Sequence, residues 1–356
     1  MFSLLLILGI AALLFADRKN IERRGLVFIR RTRRFLGFIN SVSRHGKFWK
    51  IAGTVSVAVC VLVMVFTTAT VFQTSFKILK GEVRTSQAFL LLPSAEKEVR
   101  TQGPLLLIPV WLWLLAIAVV VVPHEFFHGI FARVERVRIK SVGLMVAAVI
   151  PGAFVELSEK SLERKPVPSR LRIYSAGSFA NFVTAAVLFL LTWLVVWPVL
   201  TGPGVVLAAR EGSELWEAGF RSGVVTEVNG VPVSSDYREM ATGNFLSQEL
   251  GTPETVTFEF EGKKFSARFE DVKTRPVTRV DPGLFFSLVN ALTFLWIISV
   301  AVGAINLLPI YPLDGGQIFR AAASGIFGRS EGLTRFVSII TLGALLTLFL
   351  PSVFSG

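Results

Sequence analysis

Several residue types are scarce in this chain of 356 residues. It has one cysteine, three histidines and five aspartates, and only 17% of its residues are charged, against 52% hydrophobic. The lone Cys60 has no disulfide partner, which leaves the redox compartment unreadable. So little charge beside so much apolar sequence excludes an ordinary soluble domain, because one core cannot absorb that many apolar side chains. The chain reads as a membrane protein.

What is abundant is long apolar sequence. Runs that cross, or nearly cross, a hydrocarbon core of about 30 Å lie at roughly 2–16, 51–72, 104–131, 173–200, 284–305 and 333–352. The expected fold class is therefore a polytopic α-helical membrane protein with about six transmembrane helices, into which a small β-rich domain is inserted. The boundaries expected are a two-span region at 1–103, a first half of the membrane core at 104–200, the inserted domain at 201–282 and a second half at 283–356. The first run lacks a preceding basic residue and a small-x-small cleavage site, so it reads as an anchor, with a cleaved signal as the other possibility.

The net charge of +12 does not point to nucleic acid. Most of it lies between Asp17 and Lys50, where eleven Lys and Arg face two acids. There FIRRTRRFLGFINSVSRHGKFWK mixes basic residues with Phe, Leu, Ile and Trp. It reads as an interfacial helix on anionic lipid headgroups, or as a solvated basic loop that enforces topology. Basic loops mark the cytoplasmic side. That puts the N-terminus outside, 17–50 inside, 132–172 inside and 201–282 outside. The 73–103 connection, with five basic residues, fits this orientation least well.

The 201–282 connection carries thirteen acids against nine Lys and Arg. It has strand-like stretches (GVVLAAR, VTFEFEG, KKFSARFED), an Asn229-Gly230 turn and a short helical piece around Ser213 to Phe220. The order GVVLAAREGSELWEAGFRSGVVTEVNGVPVSS resembles the core of a PDZ domain, which implies either a peptide groove at a sheet edge or a steric gate.

In the third run, VVPHEFFHGIF ends an apolar helix with ionisable groups. Helical spacing places His124 and His128 one turn apart on one face, where two imidazoles can bind one Zn²⁺. Glu125, one position round, suits a general base that takes a proton from water and later delivers it to the leaving amine. A pair of core histidines is the bland alternative, but a Glu beside them at membrane depth then has no purpose and a real cost.

A metal needs a third protein ligand. Six residues after His128 stands Val134, and His45 lies in the basic segment. A carboxylate is therefore sought. Asp314, in NLLPIYPLDGGQIFRA, is the one Asp embedded in apolar sequence, where Pro309 and Pro312 break the helix and Gly315-Gly316 let the backbone come close. Glu156, in PGAFVEL, is the rival.

The pair HEFFH and NLLPIYPLDGG, with AGSFANF at 176–182 between them, resembles the intramembrane zinc metalloproteases of the site-2 protease family over residues 104 to 328. The resemblance implies His124, His128 and Asp314 as zinc ligands, Glu125 as catalytic base, and Asn306 and Asn181 as groups that hold the substrate strand or its oxyanion. It likens PGAFVEL to a membrane-inserted hairpin or loop lying along the substrate. AGSFANF departs from the family in having Ser178 where Pro is common. The implied activity is hydrolysis of membrane-anchored proteins within or near their transmembrane segments, in a cell membrane, with the active site near the cytoplasmic side. A catalytically silent peptide-binding member and a metal transporter are the competing readings. The transporter lacks further Asp, Glu or His along a path.

Overall fold

A computed structural model describes residues 21–351 apart from 26, 33, 97–98, 148–149, 234–253 and 329. The run at 2–16 lies outside the described residues. Among those described, four helices are long and apolar enough to cross a membrane: Gly46–Leu79, Val110–Val134, Val167–Leu200 and Pro282–Asn306. Their outward side chains are what hydrocarbon accepts, with Leu62 71% and Phe66 73% exposed. The last apolar run forms a helix of 17 residues, Glu331–Thr347, whose outer face shows Phe336 and Ile339. The protein is a polytopic helical membrane protein with a β-rich region inserted between its spans.

The chain divides into two units, residues 1–186 with 295–356, and residues 187–294. In the first, strands β1 (Ile21–Arg24) and β2 (Val27–Thr32) lead to helix α1 (Arg34–Val42) and the spanning helix α2 (Gly46–Leu79). The basic segment, expected as an interfacial helix or a solvated loop, is thus over residues 21–42 a strand pair followed by a short helix. The cause is nonlocal: β2 pairs with β6 (Ile139–Ala147) from Val27↔Ala147 to Thr32↔Val142, which satisfies its backbone where a helix would leave the β6 edge open. Strand β7 (Ile150–Leu157) completes a sheet ordered β1-β2-β6-β7, so β7 is an edge.

The 73–103 connection also holds unforeseen structure. Its strands β3 (Leu90–Ser94) and β4 (Arg100–Gln102) flank β5 (Leu105–Pro109), which occupies the start of the run expected as a span from 104, so the helix there begins only at Val110. Strand β5 runs straight into α3 (Val110–Val134), the helix that carries HEFFH. Helix α1 braces that helix from outside: Ile39 is fully buried in a cluster with Ile130 and Phe131, and Phe38 packs on Phe126 at 5.0 Å.

After the short helix α4 (Glu159–Glu163) comes α5 (Val167–Leu190). Small residues let α2 approach α5: the Ser56 and Ser175 hydroxyls lie 2.8 Å apart, and Cys60 Sγ donates to the Ser175 carbonyl at 3.4 Å. This contact, invisible in sequence, gives the second apolar run a purpose as a support for α5. It also accounts for the lone cysteine as a buried helix-packing residue.

The second unit contains helix α6 (Trp197–Leu200), β8 (Thr201–Ala209), helix α7 (Glu214–Glu217), β9 (Ser222–Val225), β10 (Glu227–Val228), β11 (Val231–Pro232), β12 (Thr255–Phe260), β13 (Lys263–Arg268) and β14 (Val272–Thr278). Two sheets, ordered β11-β10-β12-β13 and β14-β8-β9, enclose a core of Val205, Leu207, Leu215, Phe220, Val228 and Phe258. Alternation along β12, with Val256 and Phe258 inward and Thr257 and Glu259 outward, is the half-buried pattern read from sequence. Ser213 caps α7 by accepting from the Trp216 N–H.

Helix α8 (Pro282–Asn306) leads back to the first unit. There Pro309 and Pro312 interrupt the chain, and α9 (Asp314–Phe327) begins on Asp314 itself. A Cβ at Gly315 would overlap the Leu307 carbonyl, so only glycine lets α9 fold back onto the turn that follows α8. The last helix is α10 (Glu331–Thr347).

Candidate metal centre

Two short-range rules place the first half of the site. The i, i+4 spacing on α3 turns His124 and His128 to one side, and their ring centroids lie 4.9 Å apart. The second half arrives by the tight return of α9 on α8, which carries the Asp314 carboxylate to the same point. Its side chain is 11% exposed, beside 12% for His124 and 14% for His128. His124 Nε2 lies 3.5 Å from Asp314 Oδ2, His128 Nε2 3.3 Å from Asp314 Oδ1, and the two Nε2 atoms 3.3 Å from each other.

This triangle fits a metal. A tetrahedral ion with bonds of about 2.0–2.1 Å has ligand-to-ligand edges of about 3.3–3.4 Å; the two Nε2 atoms are that far apart, and one or the other Asp314 oxygen lies 3.3 to 3.5 Å from each of them. The imidazole tautomer also suits it. His128 Nδ1 lies 2.8 Å from the Ile173 carbonyl, which can only accept, so Nδ1 carries the proton and Nε2 keeps its lone pair. Among the described residues, His124, His128 and Asp314 are the group of three whose donor atoms converge within 4.8 Å.

Glu125 faces a different neighbour. Its Oε2 accepts a 2.9 Å hydrogen bond from the Val155 N–H on the edge strand β7. Val155 lies opposite Val142 on β6 but spends its N–H on Glu125, so this donor points off the free side of the sheet. Glu156, the rival ligand in the sequence, is turned to the other side of β7. It accepts from Ser141 Oγ at 2.8 Å and pairs with Arg31 at 3.4 Å and Lys140 at 3.5 Å.

Asn181 and Asn306 differ in exposure. Asn181 is fully buried behind His124, its amide nitrogen 3.2 Å from His124 Nδ1, and its own carbonyl receives the Ser299 hydroxyl at 2.9 Å. Asn306 ends α8, is partly exposed, and makes no side-chain hydrogen bond with the described residues. Three contacts on α5 were not foreseen. Ser178 Oγ donates to Asp314 Oδ2 at 3.0 Å, the Ile173 carbonyl meets His128, and a Cβ at Gly177 would overlap the Nε2 of both imidazoles. The one sequence signal was the small-residue run AGSFAN within an apolar helix.

Comparison with known sequences places most of the chain in one family. The family described as Peptidase family M50 matches residues 112–350, well over half the chain and a span that contains all three converging side chains. An uncharacterized protein of Methanocaldococcus jannaschii is 26% identical over 352 residues, 94% of this chain and 87% of that protein. Zinc metalloprotease RasP of Shouchella clausii is 26% identical over 236 residues, 49% of this chain and 56% of that protein. A membrane-bound transcription factor site-2 protease homolog of Arabidopsis thaliana is 30% identical over 90 residues, 25% of this chain and 17% of that protein. The chain thus matches less than two thirds of the length of either named protease.

Proposed function

The chain belongs to peptidase family M50, and from that premise we propose that it is an intramembrane zinc metalloendopeptidase acting within or near transmembrane segments of membrane-anchored proteins. The observation that carries the proposal is the largely enclosed convergence of His124, His128 and Asp314 on helices next to a carboxylate, Glu125, held by a sheet edge.

His124 and His128, through Nε2, and Asp314, through its carboxylate, would hold the zinc. When bound, zinc supplies Lewis acidity, polarising a carbonyl and bringing the pKa of coordinated water toward about 7. Glu125 does the proton work. With Oε2 anchored on the Val155 N–H, Oε1 is free to accept a proton as the water oxygen bonds to the scissile carbon, and to return it to the amine as the C–N bond breaks. Asn306, whose amide at the end of α8 makes no hydrogen bond among the described residues, is proposed to hold the substrate strand or its oxyanion.

A transmembrane helix hides its carbonyls in its own hydrogen bonds, so a substrate must unwind before it is cut. The free edge of β7 supports the reading that the unwound strand pairs there, with Val155 marking the point nearest the base. Water needs a polar approach. The face of α9 that begins with Asp314 continues through Gln317 and Ser324, which line a cavity of about 680 Å³ with Arg170, Tyr174, Arg320 and Glu331.

Basic residues of 132–172 support a site near the cytoplasmic side, with the N-terminus and the β-rich region 201–282 outside. The strand and helix order there supports a PDZ-like module. The basic 17–50 segment supports a second partner, anionic lipid headgroups.

The test uses purified full-length protein in detergent. It should hold about one zinc per chain and cleave a single-span substrate, and Glu125→Gln should abolish cleavage while zinc stays bound. Normal cleavage by Glu125→Gln, or stoichiometric zinc in Asp314→Ala, would overturn the assignment. Zinc without cleavage in the wild-type protein would favour the silent, peptide-binding reading.

A further inference from the structure

Both imidazoles turn Nε2 toward Asp314 and Nδ1 away, and Asp314 Oδ2, 3.5 Å from His124 Nε2, also meets a hydroxyl; these three further contacts all fall on a single helix. The Ile173 carbonyl meets His128 Nδ1 at 2.8 Å, Ser178 Oγ meets Asp314 Oδ2 at 3.0 Å, and the Asn181 amide meets His124 Nδ1 at 3.2 Å. Residues 173, 177 and 181 repeat every four positions and 178 adjoins them, so these contacts share one face of α5. Gly177, at the middle of that face, is where the two imidazoles press against the helix.

The Asn181 amide carries a further observation. Among the described residues its Oδ1 is buried without a hydrogen-bond partner, while its Nδ2 faces a ring nitrogen. The oxygen and nitrogen of an amide occupy nearly equivalent positions, and their assignment follows from the hydrogen bonds they make. With Oδ1 toward His124, the orphaned acceptor takes the Nδ1 proton, and His124 acquires the tautomer that His128 already has. Both Nε2 lone pairs then face Asp314.

We propose that α5 supplies the outer shell of the metal centre, with Ser178 and Asn181 as its positioning residues: Ser178 orients the Asp314 carboxylate, and Asn181 sets the His124 tautomer. This rests on the metalloprotease reading of the same site. It gives a role to the residue by which this chain departs from its family, since a proline at 178 has no hydroxyl to donate to Asp314. It also gives Asn181 a task that its complete burial allows. Groups of this kind raise metal affinity by holding a ligand in one orientation and one tautomer before the ion arrives.

Zinc affinity provides a readout that does not depend on turnover. Full-length protein in detergent is stripped with a chelator and titrated with zinc against a competing indicator at fixed pH. The wild-type protein is compared with Ser178→Ala, Ser178→Thr, Asn181→Leu and Asn181→Asp. Ser178→Ala and Asn181→Leu are each expected to weaken zinc binding by about 10- to 100-fold, whereas Ser178→Thr and Asn181→Asp, which keep the donor or the acceptor, stay within about threefold of wild type. The visible spectrum of the Co²⁺-substituted protein should shift in Ser178→Ala and return in Ser178→Thr. If the wild-type protein takes up no zinc, the metalloprotease reading itself fails. If the wild type binds zinc and Ser178→Ala and Asn181→Leu match it in affinity and spectrum, the outer-shell assignment is overturned. Equal loss in all four variants overturns it as well, because the residues would then be packing elements.

Discussion

Glu156 and Glu125 sit close together in the structure, yet their surroundings differ sharply. Glu125 meets a backbone donor next to the imidazoles, whereas Glu156 is ringed by a hydroxyl and two cations. The Ser141 hydrogen bond, with Lys140 and Arg31 adding to it, holds the Glu156 carboxyl below its ordinary value of 4.5. A carboxyl whose folded pKa is lowered stabilises the fold above its unfolded pKa. That contribution fades as pH falls below about 4.5 and through the lower folded value. Thermal melts should therefore show Glu156→Gln less stable than wild type at pH 7, by well under about 1 kcal/mol because the group is largely solvated, with the gap closing in acid. A gap that widens in acid would refute this account. At this scale, the closeness of His124 and His128 was legible because an i, i+4 pattern is local. Asp314 emerged from the rarity of Asp in apolar sequence, with Glu156 as competitor. The contacts of Ile173 and Ser178 could not be read, and Asn181 was named only as a substrate group, since which face of α5 meets the imidazoles and Asp314 depends on how helices cross.

At the scale of elements, four of the six apolar runs correspond to helices long enough to span, because hydrocarbon demands satisfied backbone over a set length, while the run at 2–16 lies outside the described residues and the last forms a helix of 17 residues. The basic segment was harder. Its Val27, Phe28 and Ile29 form β2 because β6 offers a partner more than a hundred residues away. Helix α1 then leaves Phe35 and Phe38 exposed at 56% and 59%, and Phe48 at the start of α2 at 62%. Exposed Arg44, Lys47 and Lys50 accompany them, and no acid occurs from Arg23 to Lys50. Aromatic and basic side chains so mixed suit an anionic headgroup layer, each cation contributing about 1 kcal/mol near such a surface. Protein purified from micelles of equal anionic and zwitterionic phospholipid should retain an excess of the anionic lipid. The combined substitution Arg44→Gln, Lys47→Gln and Lys50→Gln should reduce that excess; equal enrichment in both proteins would sink the idea.

For the whole molecule, the division into two units separates chemistry from insertion. His124, Glu125, His128, Ser178, Asn181 and Asp314 all belong to the unit of residues 1–186 and 295–356. The inserted strands enter and leave at adjacent points: Thr201 pairs with Thr278, and the Arg279 N–H donates to the Leu200 carbonyl at 2.8 Å. Replacing residues 203–277 with a short Gly/Ser turn should therefore leave about one zinc per chain, whatever it does to substrate choice. Loss of zinc from a folded, monodisperse truncated protein would show that the insertion helps to build the site.

Periodicity and composition are local or additive, so the sequence by itself determined the apolar spans, the paired imidazoles on one helical face and the alternating strands of the insertion. Tertiary structure decided which carboxylate meets those imidazoles, which helix stands behind them and why the basic segment is part strand. Those outcomes depend on close approaches between distant residues, such as Gly315 under the Leu307 carbonyl and Gly177 against both rings. No local pattern encodes a distance of that kind.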